Sequence, residues 1–251
     1  GLVDHSDSLG ASGRFGHGDV QWMTAGKGVQ HSEMFPMVNE EQGNPLLLFQ
    51  IWLNLPAKSK NVEPYFGMFW NEDIPKIKMK DENGIETTLT LIAGSYEKTK
   101  ALDPAPDSWA ADSQNDINIW ILELEPGAIF TLPKSPKESN RSLYFYEGEE
   151  LEAEGFAIPA MHRIIMNPKE SLTLKNGNVK SEILLLQGKP IEEPVVKHGP
   201  FVANSREGIE EGFSRYRQDE FGGWPWPKHD HVHDKESPRF AKFPDGSVQK
   251  P

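Results

Sequence analysis

Apolar residues along this chain fall in short runs, broken by Gly, Pro and polar residues at intervals of roughly ten positions, which is the spacing of an all-β protein. Val20–Thr24 (VQWMT) is strand-like between two turns, Gly16-His17-Gly18-Asp19 and Ala25-Gly26-Lys27-Gly28. Leu46–Leu55 (LLLFQIWLNL) reads as a strand with both faces partly buried. Ile85–Ala93 (IETTLTLIA) alternates at period two, as a half-buried strand should. A second set follows: Asn118–Leu124, Ala128–Leu132, Ser142–Tyr146, Ile164–Met166, Ser171–Leu174 and Ile183–Leu186, with Asn176-Gly177 a hairpin-type turn between Leu174 and Val179. One helix stands out after Asn204, with Ser205 as N-cap, Glu207–Glu211 in the early turns and Ile209, Phe213 and Tyr216 as its apolar positions. Beyond it, Phe221–Pro251 is rich in Gly, Pro and polar residues and predicts an irregular tail lying over the surface.

The composition of Asp103–Gln114 (DPAPDSWAADSQ) reads as a linker and divides the strands into two sets of similar size. Two barrels or sandwiches in tandem fit this division, and so does a single long sandwich. The tandem reading gives a first unit over residues 1–110, linker included, and a second over 111–251 that carries the helix and tail.

The chain has 251 residues, 22 Gly, 20 Pro, no Cys and a formal net charge of −12. At 37% hydrophobic and 25% charged residues it reads as a folded globular chain. Its longest apolar stretches are far short of the ~20 residues that cross a bilayer. The lack of cysteine excludes a disulfide scaffold, a thiolate metal site and a cysteine nucleophile. The acidic balance disfavours direct contact with nucleic acid. The expected setting is therefore the cytoplasm, away from membranes.

Candidate chemistry concentrates in Gly18–Glu33. His31-x-Glu33 places an imidazole and a carboxylate on one face of an extended strand, half of a site for a divalent transition metal. Elsewhere the histidines read as structural or solvated. His17 occupies a turn, His5 faces solvent, His162 is a lone structural histidine, and His229, His231 and His233 lie in a polar tail with nothing to orient their rings. Trp22 and Met23, in the strand close to His31, are candidates to line an apolar cleft beside the metal. Trp224-Pro225-Trp226-Pro227 reads as an anchor for the tail in a groove of the barrel.

The run Gly26-x-Gly28-x-x-His31 resembles the second motif of the cupins, small β-barrels that hold metals with histidines. The longer string GDVQWMTAGKG at Gly18–Gly28, followed by His31-Ser32-Glu33-Met34, resembles the pirin family. So do His5-Ser6-Asp7-Ser8-Leu9-Gly10 upstream, and Leu185–Ile191, Gly199-Pro200-Phe201-Val202 and Phe221-Gly222 downstream. The resemblance covers most of the chain. It implies an all-β bicupin, two cupin-type barrels or jelly rolls, with one metal in the N-terminal barrel and His31 and Glu33 as two of its four protein ligands. The family's other two ligands form an H-x-H pair, which would lie just upstream of Gly1. The expectation is thus a first barrel without its first strands, with an open apolar face, unpaired edges and weak metal binding. In the second barrel, Gly127 leads to Pro133-Lys134-Ser135 where the first cupin motif has H-x-H, Arg141 stands near the motif's glutamate and Gly148 fits its closing glycine, so no metal tetrad is expected there.

As to function, some pirins resemble quercetin 2,3-dioxygenases, which implies a divalent metal as Lewis acid, a flavonol and dioxygen as reactants, and Glu33 alternating between ligand and proton acceptor. Fe(II) is the expected metal, with Mn, Ni, Cu, Co and Zn as alternatives that the same N/O donors accept. The resemblance equally admits a metal-dependent regulatory protein that contacts transcription factors through a protein partner, or a scaffold without metal.

Overall fold

The computed structural model describes residues 1–135 and 138–251. In chain order the strands are β1 (Leu2–Asp7), β2 (Ser12–Gly16), β3 (Val20–Thr24), β4 (His31–Met34), β5 (Tyr65–Phe69), β6 (Lys76–Lys80), β7 (Glu86–Ala93), β8 (Ser95–Tyr96), β9 (Thr99–Lys100), β10 (Asn118–Leu124), β11 (Ile129–Leu132) and β12 (Asn140–Glu147). There follow β13 (Glu150–Ala153), β14 (Phe156–Pro159), β15 (His162–Met166), β16 (Leu172–Asn176), β17 (Ser181–Gly188), β18 (Val196–His198) and β19 (Phe201–Ala203). After them come helix α1 (Arg206–Asp219) and two tail strands, β20 (Phe240–Lys242) and β21 (Val248–Gln249). The fold is all-β with one α-helix among the described residues, as the pattern predicted. No helix among the described residues is long and apolar enough to cross a membrane.

The chain divides into two compact units, 1–73 with 105–108 and 192–251, and 74–104 with 109–191. This corrects the division at 110/111. The alternation of β7 identifies a strand but not its neighbour: β7 pairs with β10 from Ala93↔Ile119 to Thr87↔Leu124, so β6 and β7 belong to the second unit's sheet. The helix and tail, assigned by sequence order to the second barrel, belong to the first unit.

In the second unit a six-stranded sheet, β15-β12-β17-β10-β7-β6, and a four-stranded sheet, β11-β16-β13-β14, turn their apolar faces inward. Leu89, Leu91, Leu122, Leu124, Leu143, Phe145, Ile183 and Leu185 come from the larger sheet, and Phe130, Leu132, Leu151, Leu172 and Leu174 from the smaller. Each buried aliphatic side chain contributes about 1.5–3 kcal/mol, which makes this interior the unit's stabilising mass.

The first unit is built differently. Its five-stranded sheet runs β21-β20-β2-β1-β4, beside the pair β3-β5. The apolar cluster is small: Val3, Ala11, Phe15, Phe66, Met68, Trp70 and Ala241. β1 buries four consecutive polar residues, Asp4, His5, Ser6 and Asp7, each at most 1% exposed. The tail, expected to be irregular, supplies β20, which pairs with β2 from Ser12↔Lys242 to Arg14↔Phe240. Helix α1 starts as predicted: Ser205 Oγ accepts the amide of Gly208 at 3.1 Å. Leu46–Leu55 is a second correction. The run is not hydrogen-bonded into any sheet among the described residues, and Leu46, Leu47, Leu48, Phe49, Ile51 and Trp52 are exposed. High β-propensity alone does not make a strand when no neighbouring strand takes up the backbone, and this segment bonds through side chains, such as Gln50 to Glu33.

Two expectations test this architecture. Leu122→Ala should lower unfolding stability by about 2–5 kcal/mol, read from urea denaturation, because Leu122 is fully buried in a central strand and the void cannot collapse. In the tail, burial pushes the His233 imidazole down, against the pull of Asp4, and His231 and Arg14 add to the lowering. A histidine depressed on folding stabilises fully above its ordinary value and loses that contribution as pH falls below about 6.5. Amide exchange across Asp234–Lys242 should accelerate there while the second unit's strands stay protected.

Candidate metal centre

The antiparallel register of β1 and β4 sets His5 opposite Glu33 and Asp7 opposite His31. Directly paired residues project to the same side of a sheet, and so do positions i and i+2 of each strand, so the four side chains share one face. One ligand atom each from His5, His31 and Glu33 lies within 4.8 Å of the others. Among the described residues this is the one group of three or more His, Cys, Asp or Glu close enough to hold a metal ion.

Each member is held by its surroundings. The His5 ring is fully buried and stacks on Phe66 at 5.2 Å between centroids. Its Nε2 stands 3.2 Å from Asp7 Oδ2. Asp7 Oδ1 accepts the amides of Leu9 at 3.0 Å and Ala11 at 2.9 Å, which fixes the carboxylate and leaves Oδ2 for the ring. With the Asp7 oxygen as acceptor Nε2 is the donor, and the Gln21 amide stands 3.5 Å from Nδ1 on the other side of the ring. A carboxylate that orients an imidazole in this way is the usual support of a metal-binding histidine. His31 keeps 33% of its side chain open, and its Nδ1 is 3.8 Å from Glu33 Oε1. Burial pushes the His31 imidazole down more than Glu33 raises it, with His5 adding to the lowering and Asp7 opposing it. That favours the neutral ring a metal needs. Glu33 Oε2 accepts from the Gln50 amide at 3.4 Å. Two imidazoles and a carboxylate form a borderline N/O donor set that fits a divalent first-row ion.

The glycines of the motif have steric reasons. Gly26, at φ +51°, leaves no room for a Cβ, which would meet the Val62 carbonyl oxygen at 2.2 Å. Gly28, at φ +137°, lies under the Phe221 ring, 2.3 Å from where its Cβ would be.

Several sequence expectations change here. His5, expected in solvent, is buried in the cluster. The signal was present, since His5-x-Asp7 has the same alternate spacing as His31-x-Glu33, but the pairing that joins β1 to β4 is not local. Gln21 reaches His5, so alternation along β3 puts Met23 on that face and Trp22 on the other, against Phe69 at 6.0 Å. Trp22 is thus turned away from His5. The tail histidines are oriented after all: His229 stacks on Trp224 at 5.2 Å and His231 on Trp226 at 5.6 Å. His17 has φ +55° in its turn, and His162 Nδ1 lies 3.0 Å from Ala160 O on an exposed strand. In the second unit, Asp116 Oδ2 accepts from Ser135, Ser139 and Gln187, and Arg141 donates to Gln187 and to Pro133 O.

Comparison with known proteins bears on these same segments. Residues 1–53 match the Pirin family and residues 119–222 the Pirin C-terminal cupin domain. A pirin-like protein of Solanum lycopersicum is 32% identical over 220 residues, covering 86% of this chain and 69% of that protein. This chain belongs to the pirin family. Human pirin is 31% identical over 223 residues, covering 86% of this chain and 70% of its own length. A crystal structure of quercetin 2,3-dioxygenase from Acinetobacter baumannii superposes with a TM-score of 0.74 at 31% identity, over 89% of this chain and 73% of that one. The pirin described here is therefore an all-β bicupin, and its relatives imply a divalent metal site.

The Asp7 contact yields a direct test. Asp7→Asn keeps an acceptor for the Leu9 and Ala11 amides but removes the charge facing His5, and should weaken Co(II) binding about 10–100-fold in an absorption titration.

Proposed function

We propose that this pirin is a metal-dependent oxygenase of the quercetin 2,3-dioxygenase type, with a flavonol and dioxygen as reactants and Fe(II) held by His5, His31 and Glu33. The observation that carries the reading is the convergence of two imidazoles and one carboxylate on a single sheet face, in a chain 31% identical to the Acinetobacter baumannii quercetin 2,3-dioxygenase.

When bound, such a metal supplies Lewis acidity toward a substrate hydroxyl and access to dioxygen chemistry. The chain's own residues do the rest. His31, held neutral by burial, offers a lone pair without first losing a proton. Asp7 fixes the tautomer and orientation of His5 through Nε2. Glu33 is the proton acceptor for the flavonol hydroxyl. Its Oε1 is 3.8 Å from His31 and its Oε2 3.4 Å from Gln50, contacts loose enough to yield to a substrate. Phe66, stacked on His5, and Met23, its strand partner, line the apolar side of the site.

Oxygen uptake with quercetin should appear on addition of Fe(II), fall to background in His31→Ala, and be lost in Glu33→Gln even where that variant retains metal. Absence of metal-dependent uptake by the unaltered protein would exclude the oxygenase reading.

A further inference from the structure

The segment that follows α1 returns across both strands that carry the metal-site residues. It meets the approach to β4 first. The Glu220 carbonyl accepts the side-chain amide of Gln30 at 2.5 Å, and Gln30 is the residue immediately before His31. Ser8 and Gln30 exchange two further hydrogen bonds, at 2.8 and 3.0 Å, which tie this point to the end of β1. Next, Phe221 lays its ring on Gly28, in space that any side chain at position 28 would fill. Both Glu220 and Phe221 have left-handed backbone, with φ of 54° and 55°. For a residue with a side chain that conformation is strained and persists only where its surroundings enforce it.

Further on, the segment reaches β1. Trp226 Nε1 donates to the Asp7 carbonyl at 2.8 Å. Asp7 is the residue whose carboxylate orients His5, so the indole fixes the backbone from which that carboxylate springs. On the opposite face of β1, Asp4 is gripped by Arg14 through Nε at 2.7 Å and Nη2 at 2.8 Å. The other donors of Arg14 go to four carbonyls of the segment: His233 at 3.0 Å, Asp234 at 2.8 Å, and Lys235 and Ser237 at 3.1 Å each. The His233 amide returns a bond to Asp4 Oδ2 at 2.9 Å. Asp4 and His5 are adjacent and point to opposite faces, so this clamp sits directly behind the metal-site face.

We propose that residues 220–237 form a strap that sets the spacing of the metal ligands, with Trp226 and Gln30 as positioning residues for His5 and His31 respectively. The inference rests on the metal site proposed above. It adds that ligand geometry is imposed from outside the two strands.

The test is a Co(II) absorption titration on the full chain. Trp226→Phe keeps the ring and deletes only the N–H that reaches Asp7. Gln30→Met deletes only the donor to Glu220. Trp224→Phe is the control, because its N–H bonds to Lys228 O within the segment itself. The strap predicts that Trp226→Phe and Gln30→Met each bind Co(II) about tenfold or more weakly, with altered visible bands, while Trp224→Phe matches the unaltered protein. A purely structural role would lower thermal stability but leave the affinity and bands of the folded protein unchanged. Wild-type affinity and bands in both variants would overturn the strap. Failure of the unaltered protein to bind Co(II) would instead remove the metal site, and the strap with it. Should Trp226→Phe fold poorly, Gln30→Met, whose bond is at the surface, decides the matter.

Discussion

The burial of Asp4, His5, Ser6 and Asp7 in one strand governs the first unit. An unpaired ionised side chain loses several kcal/mol on leaving water, so a strand of this kind is stable only if its charges are matched and its lone pairs filled. The Asp4–Arg14 pair meets that condition by recruiting the chain's far end. Arg14 has more donors than one carboxylate can accept, and the surplus is taken up by main-chain carbonyls from His233 to Ser237. The polar interior and the ordered tail are thus one arrangement: neither makes energetic sense without the other.

The two units solve the folding problem with different means. The second closes two sheets over a continuous aliphatic interior, where side-chain volume decides stability, and gathers buried polar groups such as Gln187 and Arg141 into a network around Asp116. The first has a small apolar cluster and relies on directional bonds, which hold side chains to definite angles in a way that apolar packing does not. Side chains that must keep fixed separations are best held by directional bonds, and His5 is buried among them, with His31 and Glu33 at the more open edge.

What could be read from the amino-acid order follows from the range of the interactions concerned. Strands β7, β10, β12 and β17 were legible because inward and outward residues alternate within a few positions. The start of α1 was legible because an N-cap acts on the next three residues. His31 and Glu33 could be read as a pair because both lie on one strand. The boundary at 110/111 was misplaced because strand partnership, not local pattern, decides which sheet β6 and β7 join. His5 was missed for the same reason, since its role comes from the register with β4. Leu46–Leu55 shows the converse: a strong strand pattern that joins no sheet among the described residues. The order in the tail was illegible because it depends on Arg14, 223 residues from Ser237 in the chain.

That separation has a consequence for the order of events during synthesis. Residues of the second unit lie within 74–191, so its interior can assemble while the chain is still growing. The first unit emerges earlier but has its guanidinium and carboxylate uncapped until residues 233–237 arrive. Its closure is therefore a late, long-range step, slow by the entropy of the intervening loop. In this pirin the two ends of the chain therefore meet at a single arginine, which ties the first strand hairpin to residues more than 200 positions away.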